Sequence, residues 1–412
     1  MREPGVRNDY HSLLNLHHSM LLRRSMRGGP VPKSQDGQAV ALLDAWPQRL
    51  TDQRLLRESL ALVEPFSDTA MDLYTTLFRD GPHLRPLFPS SLVAQRDHLV
   101  SSMLRLIGDL DKPEVIVPFL EQLGQAHRRL GVRAIHFEPF GAALLEALRT
   151  RGGIAWRTEH DQAWQRTYRF VTQVMSNAAQ AALATPAYVS AAVVHHQQIS
   201  SNLAILRVRP AQPYAYQAGQ YATLESPYLP NTWRCYSMAN PPSEDGLLEF
   251  HVRATGAGQL SDVLVNKVNV GDELRLGPAR GSMTLAPTPG NGVLLIAGGT
   301  GLAAVRALLG ELALRPSPPP TWLFFGARTW GELYDLETLE AYNARHPWLR
   351  LVLAIDEGVA YPYESGTVVD VVARRGSWAG HDAYLCGPSA MVTAMKGRLA
   401  ELGVQPDRIW HD

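Results

Sequence analysis

Apolar residues recur at every third or fourth position through one segment after another of residues 51–185. This is the helical period, and strand-like runs are few, so the pattern predicts consecutive α-helices. Residues that start or stop helices separate them: Ser67 or Asp68 can begin a helix, and Gly81-Pro82 ends it. The sequence therefore predicts an all-α domain over these residues. A ligand pocket between the helices is only one use of such domains.

After residue 187 the pattern changes to alternation at the strand period. AYVSAAVVHHQQIS and LLEFHVRAT alternate apolar and polar residues, and turns such as GDEL separate such segments. Several short strands predict an antiparallel β-barrel over residues 187–290. From Val293 onward, apolar strands alternate with helical segments, which predicts a parallel α/β sheet over residues 291–412.

Residues 1–50 mix basic and polar residues with the run GGPVPKSQDGQ, a composition that buries little apolar surface. We predict a flexible N-terminal extension with a short helix at Tyr10–Leu22. The predicted fold class is therefore multidomain: an all-α domain, then an antiparallel barrel, then an α/β domain with a parallel sheet. The sequence of the extension indicates no function for it.

Composition and charge narrow the range of functions. The 412 residues include 39 Lys and Arg against 39 Asp and Glu, so net charge favours neither nucleic acid nor an anionic membrane surface. No apolar run reaches the ~18 residues of a membrane span, and no signal peptide is recognisable. The two cysteines, Cys235 and Cys386, lack disulfide or metal-site spacing and fit a reducing compartment. We expect a cytoplasmic protein that acts on small molecules.

Arg234, Tyr236 and Ser237 carry the first candidate chemistry. They stand in TWRCYSMANPP, an extended segment in which alternate side chains share one strand face, and we expect all three on that face. The face could stack an aromatic ring on a planar group and offer a guanidinium and a hydroxyl to phosphate. A cross-strand ladder in a barrel uses Tyr and Ser in the same way, so the segment alone leaves both interpretations open.

Two further stretches have the chemistry of phosphate binding. Gly298-Gly299-Thr300-Gly301 follows the apolar strand Val293–Ala297 and precedes a helical segment. Glycines let a phosphate approach the backbone, and a helix start attracts its charge. Gly258-Gln259-Leu260-Ser261 also begins a predicted helix, whose free N–H groups suit a pyrophosphate. A plain helix cap at Ser261 explains this second stretch equally well.

In sequence order these stretches, with the later AYLCGPSAMV, resemble the ferredoxin-reductase-like flavoproteins. The resemblance implies that Arg234, Tyr236 and Ser237 hold FAD, with Gln259-Leu260-Ser261 at its pyrophosphate. It implies that the glycine turn receives the phosphates of NADH or NADPH and that Cys386-Gly387-Pro388 lies by the nicotinamide. Arg328 is expected on the adenosine side, where one arginine does not establish a 2′-phosphate site, so NADH is preferred. Cys386 is also compatible with a small buried residue.

Five residues of the all-α domain have spacings similar to those of the globins. Taken singly, a helical histidine such as His127 is more often solvated or hydrogen-bonded than a metal ligand, and Tyr74 and Phe88 are more often core aromatics. Together they supply the parts that haem needs. His127 provides one nitrogen ligand for iron, Phe88 and Leu99 an apolar wall, and Tyr74 with Gln95 two donors on the opposite side.

A globin followed by flavin and nicotinamide modules resembles the flavohaemoglobins, and the resemblance covers residues 51–412 and includes the Trp164–Tyr168 spacing. It implies haem b, FAD and NADH (or NADPH) as cofactors and the conversion of nitric oxide and dioxygen to nitrate. One alternative is the same electron chain with another acceptor or donor, such as a peroxide, a quinone or a hydroxy acid. The other is a haem-based oxygen-binding or sensor protein.

Three positions depart from the flavohaemoglobin pattern. Phe137 stands where members have a proximal tyrosine, and Ala179 where they have a glutamate bonded to the haem histidine. A carboxylate partner makes an imidazole more basic. Without it, we expect His127 to bond a backbone carbonyl and peroxide cleavage and nitric oxide turnover to be weaker. Many relatives also have an aromatic residue beyond the last strand that covers the flavin, a role for which Trp410 is the candidate here.

Overall fold

The computed structural model describes residues 42–43, 45–89, 91–256, 258–287, 290–358 and 361–411. These residues form two compact units, which meet in sequence between residues 187 and 188. The predicted helix at Tyr10–Leu22 lies outside the described residues, as does most of the predicted extension. Within the described part of the chain, no helix is long and apolar enough to cross a membrane.

The first unit consists of α-helices whose apolar faces meet in one core. They are α1 (Arg49–Leu62), α2 (Phe66–Asp80), α3 (Val93–Asp109), α4 (Pro113–Arg129), α5 (Phe137–Gly152) and α6 (Thr158–Ala181). Gly81 directly follows α2, and Pro113 begins α4, where its missing N–H is no loss. Leu43 and Trp46 are buried in the same core, so the described end of the predicted extension packs into this unit.

An antiparallel barrel begins the second unit. Its strands are β1 (Val189–Ser200), β2 (Leu203–Pro210), β3 (Tyr221–Glu225), β4 (Arg234–Ser237), β5 (Leu248–Arg253) and β6 (Glu273–Leu276). Their order is β4-β3-β6-β1-β2-β5, and a bridge between Met238, just after β4, and Phe250 of β5 joins the two edges. The short helix α7 (Leu260–Asn266) packs its apolar side into the barrel core. The barrel is therefore nearly closed.

A parallel sheet with connecting helices completes the second unit. Its strands are β7 (Val293–Gly298), β8 (Thr321–Ala327), β9 (Leu349–Ile355), β10 (Glu364–Ser365), β11 (Asp382–Cys386) and β12 (Ile409–His411), in the order β10-β9-β8-β7-β11-β12. The helices are α8 (Leu302–Ala313), α9 (Leu336–Arg345), α10 (Val368–Arg374) and α11 (Ser389–Glu401). Every residue of β7 is buried, as expected for a strand covered on both faces. The carboxyl ends of β7, β8 and β11 meet at one edge, where ligands bind in such sheets.

The predicted fold class is confirmed in all three parts. Helical periodicity, strand alternation and continuous apolar strands each occur where the structure has helices, an antiparallel barrel and a parallel sheet. The predicted domain boundaries stay predictions.

Candidate functional sites

His127 lies in the last turn of α4, where the backbone of its own helix fixes the ring. Its Nδ1 is 2.8 Å from the carbonyl oxygen of Leu123, one turn earlier. Because a carbonyl only accepts, Nδ1 carries the proton and Nε2 keeps its lone pair. Burial lowers the pKa of His127; the Leu123 bond opposes this shift and the charge of Arg129 adds to it. The predicted backbone partner is confirmed, and a neutral imidazole with this tautomer fits haem iron.

α4 is held in place by a close approach to α6 at Gly124. A Cβ on Gly124 would lie 2.3 Å from the carbonyl oxygen of Met175, so only glycine permits this crossing. Arg128 donates hydrogen bonds to two backbone carbonyls just beyond α6, at 2.7 and 2.6 Å. Both contacts fix the helical turn that carries His127.

Several apolar side chains of α3 and α4 remain partly exposed although they pack against the buried core. They are Leu99, Val100, Met103, Phe119 and Leu123, joined by Phe88 from the turn before α3. Large apolar side chains at core positions are usually fully buried. Partly exposed apolar side chains of this kind suit contact with an apolar, planar group. This set includes the predicted residues Phe88 and Leu99, and its chemistry together with that of His127 fits haem.

Tyr74 and Gln95 meet next to Phe88. The Tyr74 ring is 1 % exposed and packs edge-on against Phe88, with centroids 5.6 Å apart. Its hydroxyl lies 3.4 Å from the carbonyl oxygen of Gln95 and donates to it. Burial raises the pKa of Tyr74, against a weaker opposite effect of a hydrogen bond with the Gln95 side chain. Tyr74 therefore keeps its proton at neutral pH and remains a donor.

Phe137 and Ala179 offer no polar side chain to His127. Phe137 begins α5, and its backbone carbonyl accepts a hydrogen bond of 2.6 Å from the hydroxyl of Tyr168 on α6. Burial raises the pKa of Tyr168, so this hydroxyl stays protonated. The Tyr168 hydroxyl donates its proton to the Phe137 carbonyl. The hydrogen-bond partner of the His127 ring is the uncharged carbonyl of Leu123.

β4 carries Arg234, Tyr236 and Ser237 at the edge of the barrel sheet, paired with β3. Successive strand residues point to opposite faces, so Arg234 and Tyr236 share one face and Ser237 lies on the other. The prediction that all three share a face is therefore wrong. Arg234 Nη1 donates to the Trp233 carbonyl at 2.9 Å, and burial raises the pKa of Tyr236 while the charge of Arg234 opposes it. The strand still presents a ring and a guanidinium side by side.

The predicted helix start after Gly258 is confirmed, because α7 begins at Leu260 with Gln259 as its N-cap residue. The alternative of a plain cap at Ser261 is wrong, since the Ser261 hydroxyl instead accepts from the backbone N–H of Thr255 at 3.2 Å. Gly258 has φ +80°, and no heavy atom lies within 4 Å of the position a Cβ would take. This open backbone suits a pyrophosphate.

The glycine turn after β7 and the Cys386-Gly387-Pro388 segment after β11 lie against each other. Ala297 and Cys386 pair directly in the sheet, and a Cβ on Gly301 would lie 2.2 Å from the Cys386 carbonyl oxygen. Gly299, with φ +53°, faces open space, with no heavy atom within 4 Å of its would-be Cβ. One glycine therefore serves packing, and the other leaves room for a phosphate. Cys386 is 9 % exposed, which agrees with the alternative interpretation that it is a small buried residue.

Arg328 stands among carboxylates just beyond β8. Its Nε is 3.8 Å from the Glu357 carboxylate, and its backbone N–H donates to the Glu332 carboxylate at 3.1 Å. Both Arg328 and Glu357 are exposed. The rings of Trp330 and Tyr363 lie 4.9 Å apart in the same region of the sheet edge. The predicted adenosine position thus combines aromatic rings with more acidic than basic groups.

Trp410 is engaged within the parallel sheet. Its ring stacks on Tyr384 with centroids 4.9 Å apart and planes 11° apart, and the two residues are paired between β11 and β12. The Tyr384 hydroxyl in turn accepts from the backbone N–H of Ala286 at 2.8 Å. A flavin-covering role for Trp410 would require this stack to open, and it stays a prediction.

A buried polar cluster that was not predicted from the sequence lies between the barrel and the parallel sheet. Its members are Glu249, His251, Arg306, Tyr334 and Asp335. The available signal was the alternation in β5, which places Glu249 and His251 together with Arg253 on one face and apolar residues on the other.

Three family models match consecutive parts of the chain. The globin model matches residues 71–175, the oxidoreductase FAD-binding domain residues 190–284, and the oxidoreductase NAD-binding domain residues 295–397. Among curated relatives, the reductase component of a naphthalene dioxygenase/salicylate hydroxylase system from Ralstonia is 37 % identical over 209 residues. That match covers 50 % of this chain and spans 63 % of the relative's own length.

Other similarities extend over both units. A flavohemoprotein of Bordetella parapertussis is 28 % identical over 364 residues, 82 % of this chain and 90 % of the relative. The crystal structure of a Malassezia yamatoensis flavohemoglobin with bound FAD and heme has a TM-score of 0.68 at 20 % identity, covering 88 % of this chain and 98 % of that one. At this identity, the structural similarity bears on the fold alone.

Fold, sites and matched domains define a flavin- and nicotinamide-dependent oxidoreductase with an attached globin. Over most of its length the chain is similar to flavohaemoglobins, and its cofactors are haem, FAD and a nicotinamide dinucleotide.

Proposed function

We propose that this protein passes electrons from NAD(P)H through FAD to haem iron and thereby converts nitric oxide and dioxygen to nitrate. The observation that carries the proposal is the buried Tyr74 hydroxyl, held at Gln95 beside Phe88 in the unit that presents His127. When bound, the flavin takes up a hydride and releases single electrons, and the haem iron binds dioxygen for reaction with nitric oxide.

His127 would hold the iron through Nε2. Its Nδ1–H donates to a carbonyl rather than to a carboxylate, so the ring stays neutral and no anionic partner makes it more basic. The Gly124 contact and the two Arg128 hydrogen bonds keep α4 in position, which limits movement of the ring. The chain therefore supplies a rigid ligand with modest electron donation to iron.

Tyr74 would act as a hydrogen-bond donor to the dioxygen substrate. Burial keeps its hydroxyl protonated, and the ring of Phe88 packs against that of Tyr74. Its bond to the Gln95 backbone, at 3.4 Å, is long for an O–H donor, so exchanging it for a stronger acceptor loses little.

In the reductase part, Arg234 and Tyr236 would hold the flavin, and the open backbone at Gly299 would receive the phosphates of the dinucleotide. We further propose a preference for NADH. Glu332 and Glu357 surround Arg328, so a 2′-phosphate would meet two carboxylates together with a single guanidinium.

The test compares Tyr74→Phe with Tyr168→Phe in purified, cofactor-loaded protein. Both variants lose one buried tyrosine hydroxyl from the same unit, but Tyr168 donates only to the Phe137 backbone. We expect Tyr74→Phe to slow NADH-dependent nitric oxide consumption at least about tenfold, as for loss of one positioned donor, and Tyr168→Phe to leave it within about twofold. Wild-type protein that consumes no nitric oxide beyond its rate without NADH would reject the proposal.

A second candidate is an oxygen-binding protein whose reductase only keeps the iron reduced. The neutral Leu123 partner of His127 favours it, because an imidazole without a carboxylate donates less electron density for oxygen activation. Stable oxygen binding with negligible turnover of nitric oxide would support this candidate over the first.

A further inference from the structure

The buried polar cluster consists of Glu249 and His251 on β5, Arg306 on α8, and Tyr334 and Asp335 before α9. Glu249, His251 and Tyr334 are each at most 5 % exposed. Glu249 Oε1 forms an ion pair with Arg306, and Arg306 Nε is 2.9 Å from Asp335 Oδ2. The cluster therefore joins one barrel strand to two elements of the parallel-sheet part.

The hydrogen bonds within the cluster lead from Tyr334 through His251 to Glu249, each residue donating to the next. His251 Nε2 is 3.1 Å from Glu249 Oε1, and His251 Nδ1 is 2.9 Å from the Tyr334 hydroxyl. Burial opposes ionisation of Glu249, but the hydrogen bonds of His251 and Arg207 and the charge of Arg306 outweigh it and hold the pKa of Glu249 below its usual range. The carboxylate thus accepts from His251 Nε2–H, which leaves Nδ1 to accept from Tyr334.

Three members of the cluster, Glu249, Arg306 and Tyr334, are linked to segments proposed to bind a cofactor. The N–H of Ala239, two residues after Ser237, donates to the Glu249 carbonyl at 2.7 Å, which ties β5 to the end of the proposed flavin strand. Arg306 lies in the helix that directly follows the glycine turn. Tyr334 shares a core cluster with Cys386, by the proposed nicotinamide position.

The buried polar cluster needs a more specific geometry than apolar packing at the same place would need. Buried ion pairs are often no more stabilising than apolar residues of similar volume, and they require specific geometry. Asp335 moreover has φ +57°, the left-handed region that non-glycine residues seldom adopt. A cluster of this kind fixes the relative position of the segments that carry its residues. We therefore expect its main role to be positioning.

We propose that Glu249, His251, Arg306, Tyr334 and Asp335 are positioning residues that set the spacing between the flavin strand β4 and the nicotinamide-binding ends of β7 and β11. The proposal rests on the electron path of the proposed function but concerns only its first step. Hydride transfer depends steeply on the distance between the reacting atoms, and a displacement of about 1 Å costs about 100-fold in rate. Loss of the cluster should therefore slow flavin reduction without weakening dinucleotide binding.

The experiment uses the full-length holoprotein and two variants. Glu249→Gln removes the central charge, and Tyr334→Phe removes a single hydroxyl with little risk to folding. The control is Asp382→Asn, because Asp382 is also buried and paired with Arg408 at 2.7 Å. Its partners, Arg408 just before β12 and the backbone N–H of Gly290 just before β7, both lie next to the parallel sheet and not in the barrel strands. Flavin reduction by NADH and by its 4-deuterated form is followed by anaerobic stopped flow, and ADP-ribose affinity and backbone hydrogen exchange are measured separately.

We expect flavin reduction at saturating NADH to be about 10–100-fold slower in both cluster variants than in wild type. Reduction by 4-deuterated NADH should be slower still, as expected when hydride transfer limits the rate. The affinity for ADP-ribose should stay within about threefold of that of wild type. Hydrogen exchange at Ala239 should rise in the same variants. Asp382→Asn should reduce flavin at the wild-type rate even where its unfolding temperature falls. Wild-type reduction rates in Tyr334→Phe and Glu249→Gln, or equal slowing in Asp382→Asn, would overturn the proposal. Flavin reduction by NADH takes place before the reaction with nitric oxide. A protein that fails the dioxygenase assay can therefore still confirm or overturn this proposal.

Discussion

Gly124→Ala should separate α4 from α6 and loosen the turn that carries His127. A Cβ would lie 2.3 Å from the Met175 carbonyl oxygen and 2.7 Å from the Met175 Cα, whereas ordinary contacts begin at 3.4 Å. The helices would have to move apart by roughly 1 Å, because the obstructing atoms are backbone and cannot rotate away. Overpacking of this kind costs about 3 kcal/mol at the upper end of its usual range. Alanine has a higher helix propensity than glycine, which stabilises the folded state by about 1 kcal/mol. The free energy of unfolding should therefore fall by about 2 kcal/mol in total.

The matched control is Gly108→Ala in α3, where no heavy atom lies within 4 Å of the new Cβ. For a unit of this size, Gly124→Ala should lower the unfolding temperature of the globin by about 5–8 °C, and Gly108→Ala should leave it unchanged or raise it slightly. The assay is thermal unfolding followed in the haem absorption band, with the rate of haem loss to an excess acceptor protein as a second readout. Gly124→Ala protein that unfolds at or above the wild-type temperature and retains haem equally well would refute the packing argument.

Three further predictions follow from the sites. His127→Ala should lose haem but keep FAD and wild-type reduction of ferricyanide by NADH; retained haem with an unchanged spectrum would contradict the ligand assignment. Because the folded-state pKa of Glu249 is depressed, its contribution to stability is complete above the unfolded value of about 4.3 and is lost as the pH falls below it. The free energy of unfolding of Glu249→Gln should accordingly fall less than that of wild type between about pH 4.5 and 3, measured by denaturant titration. Glu357→Gln should raise kcat/KM for NADPH by at least about threefold and leave that for NADH little changed, since one repulsive carboxylate is removed beside Arg328.

The fold followed from local patterns because each type of element buries its apolar residues at a different period. α4 shows a helical stripe that includes Ile116 and Leu120, while β7 is apolar throughout since helices cover both of its faces. Leu43 and Trp46 lie in the short apolar run AVALLDAW, which was included in the extension because the polar, glycine-containing sequence before it shows no helical period. A run of eight residues is too short to show clearly that it packs into the neighbouring core.

The sites were predictable only where residues close in sequence act together. Tyr236 and Arg234 share a strand face by periodicity, but placing Ser237 with them ignored that adjacent residues point to opposite sides. The bond between Glu249 and Arg306 joins residues 57 positions apart and depends on how the barrel packs against α8. Tertiary packing of this kind leaves no local pattern in a single sequence.

The proposed electron path can be tested by an absorption spectrum of the purified protein before and after NADH under argon, followed by air and a pulse of nitric oxide. We predict that NADH bleaches the flavin and shifts the haem band to that of ferrous iron. It also predicts that nitric oxide is then removed in repeated cycles, with nitrate formed in proportion to the NADH consumed. A flavin that bleaches while the iron stays ferric would contradict the proposed electron path.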